Sequence, residues 1–468
     1  MVSAAEQLAS QINFSVFAKA EDLKKRLWFT LGALLIYRIG TFIPIPGINP
    51  EAFAQNFKSA SEGIIGMFNT FSGGAVERMA IFALNIMPYI SASIIMQLMT
   101  SVVPSLEALK KEGESGRKQI NQYTRYLTVL LATAQALGLA LSLQGQTSTV
   151  GPVVLSPGPF FVISTVVTLV GGTMFLMWLG EQITQRGIGN GASLIIFAGI
   201  VAGLPGTIAQ MFELARTGAM ATWLLIALML LMVVVVAAIV FIERAQRRLR
   251  IEYPKRQTGQ FLAKGETSHL PLKLNPAGVI PPIFASSLLL VPATIAQFAS
   301  TTEGPSWVDA YLPAALATWV PSWTGIAAAL GPGQLGHILI YSALIVFFAF
   351  FYTAVLFNPV ETADNLRKYN GFLPGIRPGQ KTAEYIDYVL TRITVVGAIY
   401  LAIVCVLPEV LISQAAVPFY FGGTSLLIAV SVTMDTVSQV QSHLIAQQYQ
   451  GLIKKNKLRG SGPMGGRR

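Results

Sequence analysis

Long apolar runs separated by shorter polar stretches dominate the hydropathy pattern of the chain. A helix rises about 1.5 Å per residue, so roughly 20 apolar residues cross a hydrocarbon core about 30 Å thick. The pattern therefore predicts an all-α membrane protein with ten spans. The spans are 27–46, 77–100, 123–143, 159–180, 188–208, 221–242, 275–298, 335–357, 386–407 and 418–439. The second and tenth are the least uniform, because they are interrupted by Asn85, Pro88, Gln97 and Asp435.

One further apolar stretch, GIIGMFNTFSGGA at 63–75, is too short to cross a bilayer. As a helix it would reach about 20 Å. The glycine pair at its end does not favour a smooth continuation of the helix. Taken alone, these residues favour a re-entrant or interfacial segment with a packing role only.

Composition supports the membrane class. Hydrophobic residues make up 53% of the 468 residues and charged residues 12%, whereas soluble domains carry about a quarter charged residues. Cys405 is the single cysteine, so the chain has no disulfide framework, and we expect it to pack as a small hydrophobic residue. The polar N-terminal stretch lacks the apolar region of a signal peptide, so the first span is expected to direct insertion.

The net charge of +11 is informative because of where the basic residues lie. With ten spans, the loops on one side and both termini hold all Lys and Arg residues but four. The exceptions are Arg38, Lys58, Arg78 and Arg216. Because cytoplasmic loops are rich in Lys and Arg, the pattern places both termini in the cytoplasm.

Two cytoplasmic loops are unusually long. In 243–275 apolar and basic residues alternate through RRLRIEY, which predicts a β-hairpin with its turn near 254–259. The loop at 358–382 contains the Gly/Pro-rich LPGIRPG. Long loops are usually functional, but composition leaves open that these two only fix the topology.

Motifs for chemistry are absent from the sequence. There is no GxxxxGK[ST] loop, GIGNG at 187–191 follows no strand, and the histidines are scattered. Arg38 is the clearest intramembrane charge and therefore a functional candidate, although its place near the outer end of a span favours simple snorkelling. The scarcity of intramembrane charge argues against proton-coupled transport. We expect no enzyme activity, cofactor or metal.

Seven ordered motifs resemble the SecY family, the channel subunits of the protein-secretion translocon, in its bacterial form. The likeness runs from about residue 14 to about residue 455 and rests on GMFNTFSGGA, IFALNIMPYISASIIMQL (81–98), KKEGESGRKQINQYTRY (110–126), MWLGEQITQRGIGNGASLIIFAGI (177–200), HLPLKLNPAGVIPPIFASS (269–287), FNPVETADNLRKYNGFLPGIRPG (357–379) and VPFYFGGTSLLIAV (417–430).

The resemblance implies two pseudo-symmetric halves that open sideways, through a lateral gate between spans 2 and 7, in the cytoplasmic membrane. The implied divisions are a cytoplasmic N-terminal segment 1–26, a first half 27–210 (spans 1–5), a second half 221–440 (spans 6–10), cytoplasmic loops 243–275 and 358–382, and a basic cytoplasmic tail 441–468.

The resemblance also assigns a plug and a pore ring. The plug is the 63–75 segment, with Ile64, Ile65, Met67, Phe68 and Phe71 as its apolar face, Asn69 among its polar positions, and Gly73 and Gly74 as its hinge. A ring of apolar side chains seals by excluding water. Its positions are Ile86, Ile90, Ala192, Ile196, Ile283 and Ile428; the family commonly has isoleucine where this chain has Ala192.

Gate and docking residues follow in the same way. Ser91, Gln97, Ser286 and Ser287 are the expected polar positions of the lateral gate. Lys255, Arg256 and Arg377 are expected to meet the ribosome and the ATPase SecA, although KRQTGQF is less basic than in some relatives. The implied partners also include SecE, SecG, polypeptides with signal sequences, and SecDF and YidC; the basic tail alternatively suits anionic lipids.

Two other function classes remain open from the residues alone. A small-solute secondary transporter fits the span count, although it lacks the expected intramembrane charges. A scaffold for other membrane proteins would fit the same pattern without forming a pore.

Overall fold

The computed structural model describes residues 21–60, 69–144, 147–148, 151–218, 221–253, 257–258, 261–262, 267–289, 334–415 and 423–460. Helices make up most of this part of the chain. In order they are α1 Glu21–Gly40, α2 Pro50–Ala60, α3 Met87–Val102, α4 Pro104–Lys111, α5 Glu114–Gln144, α6 Pro159–Arg186, α7 Gly191–Arg216, α8 Thr222–Arg244, α9 Ile280–Leu289, α10 Leu335–Leu356, α11 Pro359–Lys368, α12 Gln380–Ala415 and α13 Gly423–Gly460.

Short strands occur only in the loops of the described chain. They are β1 Thr147–Ser148, β2 Gly151–Pro152, β3 Gln246–Glu252, β4 Gln257–Thr258, β5 Phe261–Leu262 and β6 Thr267–Lys273. Three antiparallel pairs form: β1 with β2, β3 with β6, and β4 with β5. The predicted hairpin in 243–275 is confirmed, and the β4–β5 pair puts its reversal between Thr258 and Phe261, at the end of the predicted turn.

Six described helices are long and apolar enough to cross a membrane, and the pair α3–α4, bent by 98°, would count as a seventh. Helices α1 and α13 overlap the first and tenth predicted spans, although α1 ends at Gly40 and not at the predicted residue 46. Both are more polar: α1 carries four basic residues, and α13 carries Asp435. Helix α9 begins the seventh span, whose remainder lies outside the described residues. The count of ten therefore stays a prediction.

The second span begins later than hydropathy predicts. Residues 73–86 form successive turns, and α3 starts at Met87. Met79 and Asn85 have φ angles of 46° and 50°, which a helix does not permit. The backbone here pairs instead with the chain after α1, through Ile45 N to Met79 O at 2.9 Å and Ile81 N to Ile43 O at 2.9 Å. The prediction of a helix over 77–86 is therefore wrong.

The largest apolar core lies where the two sets of helices meet. It contains side chains of α1, α3, α6 and α7 from the first half and of α8, α9, α10, α12 and α13 from the second. Phe284 of α9 packs edge-on against Phe348 of α10, with ring centroids 5.6 Å apart. This central core joins the helices that carry the predicted ring.

A second core supports the outer side of the first half. Phe53 and Phe57 of α2 pack with Leu143 of α5, Phe161 of α6 and Val154 from the loop beyond β2. Asn49 accepts hydrogen bonds from the first turn of α2 and fixes where that helix begins. We call this cluster the outer platform. It anchors the chain that leads into the 63–75 segment.

Close packing of α6 against the turns at 73–86 depends on Gly172. A Cβ atom there would collide with the carbonyl oxygen of Ile81, whereas a Cβ atom at the adjacent Gly171 would meet nothing within 4 Å. We expect Gly172→Ala to lower the free energy of unfolding by about 1–3 kcal/mol through overpacking. Gly171→Ala, the matched control, should be neutral or slightly stabilising because alanine favours helix.

Thermal unfolding of the purified protein in detergent measures both variants. Equal midpoints for Gly172→Ala and Gly171→Ala would contradict this packing.

Candidate functional site

The six predicted ring residues all lie in the central core, although they come from four separate parts of the chain. Three are buried and the other three are partly buried and pack against that core. Leu194, two residues after the small Ala192, is also buried there. All six positions thus belong to this core: Ile86, Ile196 and Ile428 are buried, and Ile90, Ala192 and Ile283 are partly buried.

The ring residues of α7 are positioned by the turn at 187–191. Asn190 caps the helix by accepting hydrogen bonds from its first backbone amides. The amide of Ile188 donates to Oγ1 of Thr30 at 3.1 Å, and that of Gly189 to Oε1 of Gln439 at 2.8 Å. The glycine-rich turn therefore joins α7 to α1 and α13. The amides of Ile188 and Gly189 donate to side chains of the same protein.

The described end of the predicted plug is one helical turn, 69–72, closed by a Schellman motif. The amide of Gly74 donates to Asn69 O at 3.0 Å and that of Gly73 to Thr70 O at 3.3 Å. Gly73 and Gly74 have φ angles of 66° and 84°, which glycine adopts at little cost. Phe71 is buried in the central core. Ile64, Ile65, Met67 and Phe68 lie outside the described residues.

Three side chains from elsewhere donate to the last carbonyl oxygens of this turn. Nδ2 of Asn85 lies 2.8 Å from the carbonyl oxygen of Phe71. The Tyr37 hydroxyl lies 3.2 Å from that of Ser72, and Nη1 of Arg38 lies 2.6 Å from that of Gly73. Tyr37 and Asn85 are almost fully buried.

Arg38 does more than snorkel to the interface, contrary to the sequence-based expectation. Its guanidinium is partly buried and also donates to Oγ1 of Thr41 at 3.3 Å. Its Cζ lies 5.1 Å from the centre of the Phe42 ring, and the Cζ of Arg78 lies 4.2 Å from the same ring. The intramembrane position of Arg38 signalled this role. No pattern in the sequence pointed to Tyr37.

The predicted gate positions lie on α3 and α9, and both helices contribute to the central core. Ser286 and Ser287 donate to the carbonyl oxygen of Ile283 at 3.0 Å and 2.7 Å. Ser91 and Gln97 are partly buried. Because the serine hydroxyls of α9 are satisfied within their own helix, they can face a changing neighbour without losing their hydrogen bonds.

The start of α9 is fixed by Asn275, which the sequence analysis missed. Its buried Nδ2 donates to Oε1 of Glu243, at the end of α8, at 2.9 Å, and to the carbonyl oxygen of Gly278 at 3.0 Å. A second partly buried pair, Arg125 of α5 with Glu181 of α6, makes two hydrogen bonds of 3.1 Å and 2.6 Å. Both connect neighbouring spans at the ends that the charge pattern places in the cytoplasm.

The two long loops that the charge pattern places in the cytoplasm form one body. Glu252 of β3 and Phe372 exchange two backbone hydrogen bonds, of 2.9 Å and 3.0 Å. Leu249 and Leu272 from the hairpin pack with Leu373 and with Ile386 of α12. We call this unit the cytoplasmic body. It presents the loops in one fixed arrangement.

Arg377 projects from a constrained turn of this body. Its side chain is exposed, while its carbonyl oxygen accepts a hydrogen bond from Oγ1 of the buried Thr382 at 3.0 Å. Gly375 and Gly379 flank it with φ angles of 81° and 107°. Lys255 and Arg256 lie outside the described residues.

Catalytic or metal-dependent chemistry gains no support from the described residues. Within them, no group of three or more His, Cys, Asp or Glu side chains could hold a metal ion. Cys405 is buried and free of disulfide bonds.

Solved structures share this fold. A structure titled "The structure of a protein conducting channel" matches with a TM-score of 0.61 at 15% identity, covering 90% of this chain and 92% of that one. Sec61 from a canine ribosome–channel complex of the endoplasmic reticulum matches with a TM-score of 0.57 at 16% identity, with the same coverage. The fold is therefore that of the protein-conducting channels.

Sequence comparison narrows this class. The SecY family profile matches residues 80–437. The protein translocase subunit SecY of Rickettsia typhi is 53% identical over 96% of this chain and 99% of its own. Those of Pseudomonas aeruginosa and Escherichia coli K12 are 54% and 52% identical over 94% of this chain and 95% and 96% of theirs. The chain belongs to the SecY family and is a multi-pass protein of the cytoplasmic membrane.

The cytoplasmic body can be tested through Leu249. Leu249→Ala should destabilise the body by about 2–5 kcal/mol, because it removes a buried side chain from a small core. His269→Ala, on the exposed face of the partner strand β6, is the matched control.

Trypsin cleavage at Arg247 and Arg248 in membrane vesicles reports the opening of the hairpin. We expect faster cleavage of Leu249→Ala alone, and equal rates for the two variants would show that the loops do not form one body.

Proposed function

We propose that the chain is the channel-forming subunit of the Sec translocase and acts as a passive conduit for secretory polypeptides. The supporting observation is that the six predicted ring positions all belong to one apolar core, which contains side chains from both sets of helices. Branched apolar groups exclude water and ions when closed. They contact a passing polypeptide without demanding a particular sequence.

The cycle begins with a signal sequence entering between α3 and α9. The plug leaves its seat, the ring widens, and hydrophilic chain moves outward. Sufficiently apolar segments move sideways into lipid through the same gate. Helices can separate there because apolar contacts are no better with each other than with lipid.

The energy for movement comes from partners, since the sequence has no nucleotide-binding loop. We propose that the cytoplasmic body binds the ribosome or SecA, with Lys255, Arg256 and Arg377 as contacts. Structurally similar channels, canine Sec61 and the yeast Ssh1 complex, have been solved together with the ribosome. SecE and SecG complete the proposed membrane complex, with SecDF and YidC as associated factors and anionic lipids at the basic tail.

The seal gives the first functional prediction. Deleting residues 63–73, or replacing Ile90 by Asn, should increase ion conductance in planar bilayers and permit export of proteins with defective signal sequences. Both changes put water or polar groups where the apolar ring must stay dry. Ile90→Leu keeps the apolar surface and should remain tight.

The other function classes make different predictions in the same assay. If both variants stay tight and selective, the ring-and-plug account is wrong. A scaffold would show no conductance after the plug is deleted. Saturable solute uptake by this chain alone would indicate a secondary transporter instead.

Docking gives a second prediction. Arg377→Ala should weaken ribosome binding to vesicles at moderate salt and reduce its salt dependence, because contacts between basic residues and RNA phosphates release counterions. Arg367→Ala removes the same charge from exposed α11 and is the control. Equal losses for the two variants would indicate bulk charge instead of a placed contact.

A further inference from the structure

The carbonyl groups of plug residues 69–73 accept hydrogen bonds from two sources, the plug's own backbone and side chains elsewhere in the protein. The Schellman motif serves the carbonyls of Asn69 and Thr70. The carbonyls of Phe71, Ser72 and Gly73 receive donors from outside, namely Asn85, Tyr37 and Arg38. Three consecutive carbonyls thus have three partners, as buried backbone groups require.

We propose that Tyr37, Arg38 and Asn85 form a clasp that holds the plug hinge closed. They are positioning residues, because they act on the plug and touch no substrate. This inference rests on the proposed plug function and deepens it. It makes the closed state depend on three directional hydrogen bonds in addition to the apolar contact of Phe71.

The donors of the clasp are held in place by their own surroundings. The Tyr37 ring stacks on Phe82 at 6.2 Å, and Phe82 stacks on Phe175 at 5.9 Å. Arg38 lies on the same helix as Tyr37, one residue further along. Both donors are therefore held on α1 by contacts that do not involve the plug.

Asn85 differs from the other two because of its place in the chain. It immediately precedes Ile86 of the ring and α3, the gate helix. A movement of α3 away from α9 carries Asn85 with it and withdraws its amide from the carbonyl of Phe71. The clasp therefore couples opening of the lateral gate to release of the plug.

Gly199 of α7 provides the seat for the clasped backbone. A Cβ atom there would collide with the carbonyl oxygen of Phe71 and would lie 3.1 Å from the Tyr37 hydroxyl and 3.2 Å from the Gly73 nitrogen. A Cβ atom at Gly203, one turn later on the same helix, would meet nothing within 4 Å. Gly199→Ala should therefore displace the hinge, and Gly203→Ala should not.

The test measures ion conductance in planar bilayers and export of a substrate with a defective signal sequence. The variants are Arg38→Met, Tyr37→Phe, Asn85→Gly (glycine keeps the positive φ angle) and Gly199→Ala. Each should raise the open fraction about tenfold or more, as expected for the loss of a buried hydrogen bond. Arg38→Lys, which keeps a charged donor, should restore part of the seal.

Matched controls separate the clasp from general effects of charge and packing. Arg78→Met removes the same charge beside Phe42, yet no hydrogen bond from its Nη1 to the plug carbonyls exists in the described chain. It should leave conductance near that of the wild type, as should Gly203→Ala. Normal export of an intact substrate confirms that each variant folds.

Two results would overturn the clasp. In the first, the plug deletion leaks, but none of the three substitutions conducts more than Arg78→Met does; these substitutions are Tyr37→Phe, Arg38→Met and Asn85→Gly. The plug would then seal the channel without the clasp. The second is a plug deletion that does not leak, which overturns the plug and the clasp together. Tyr37→Phe removes a single oxygen atom, so it remains decisive even if a larger change misfolds.

Discussion

Apolar contact between the two sets of helices is the interaction on which the rest of this structure depends. It brings Ile86, from the turn before α3, together with Ile196 of α7 and Ile428 of α13 in one core. Inside a bilayer such contact has little direction of its own, because lipid is as apolar as the side chains. A seal of this kind closes well against water but does not by itself define one closed arrangement.

Polar contacts at the edges of the core determine which closed arrangement forms. Asn275 fixes the start of α9, and the turn at 187–191 joins α7 to α1 and α13 through Thr30 and Gln439. An unpaired buried polar group is costly, so these contacts favour the arrangement in which their hydrogen bonds are made. The cytoplasmic body is packed differently, around its own apolar core, and so presents Arg377 independently of the seal.

The sequence predicted the features that depend on composition and short-range pattern. The hairpin in 243–275 and the Gly-flanked turn around Arg377 were both visible in it. The helix expected over 77–86 failed because its apolar residues satisfy their backbone by pairing with residues 43–45, a long-range choice that hydropathy does not report. The hydrogen-bond partners of Arg38 and Asn85 could not be predicted for the same reason. They are backbone carbonyl oxygens, which every residue has, so the pattern of side chains does not identify them.

The central claim is that a translocating polypeptide passes through the ring, and crosslinking at position 90 tests it most directly. Cys405 is replaced by serine, Ile90 by cysteine, and a secretory chain with one cysteine is stalled halfway across. Oxidation should join the two chains only when the signal sequence is functional and SecA is present. If the stalled chain accumulates and joins lipid-facing control cysteines, such as Val167→Cys, but never position 90, the polypeptide does not pass through the ring.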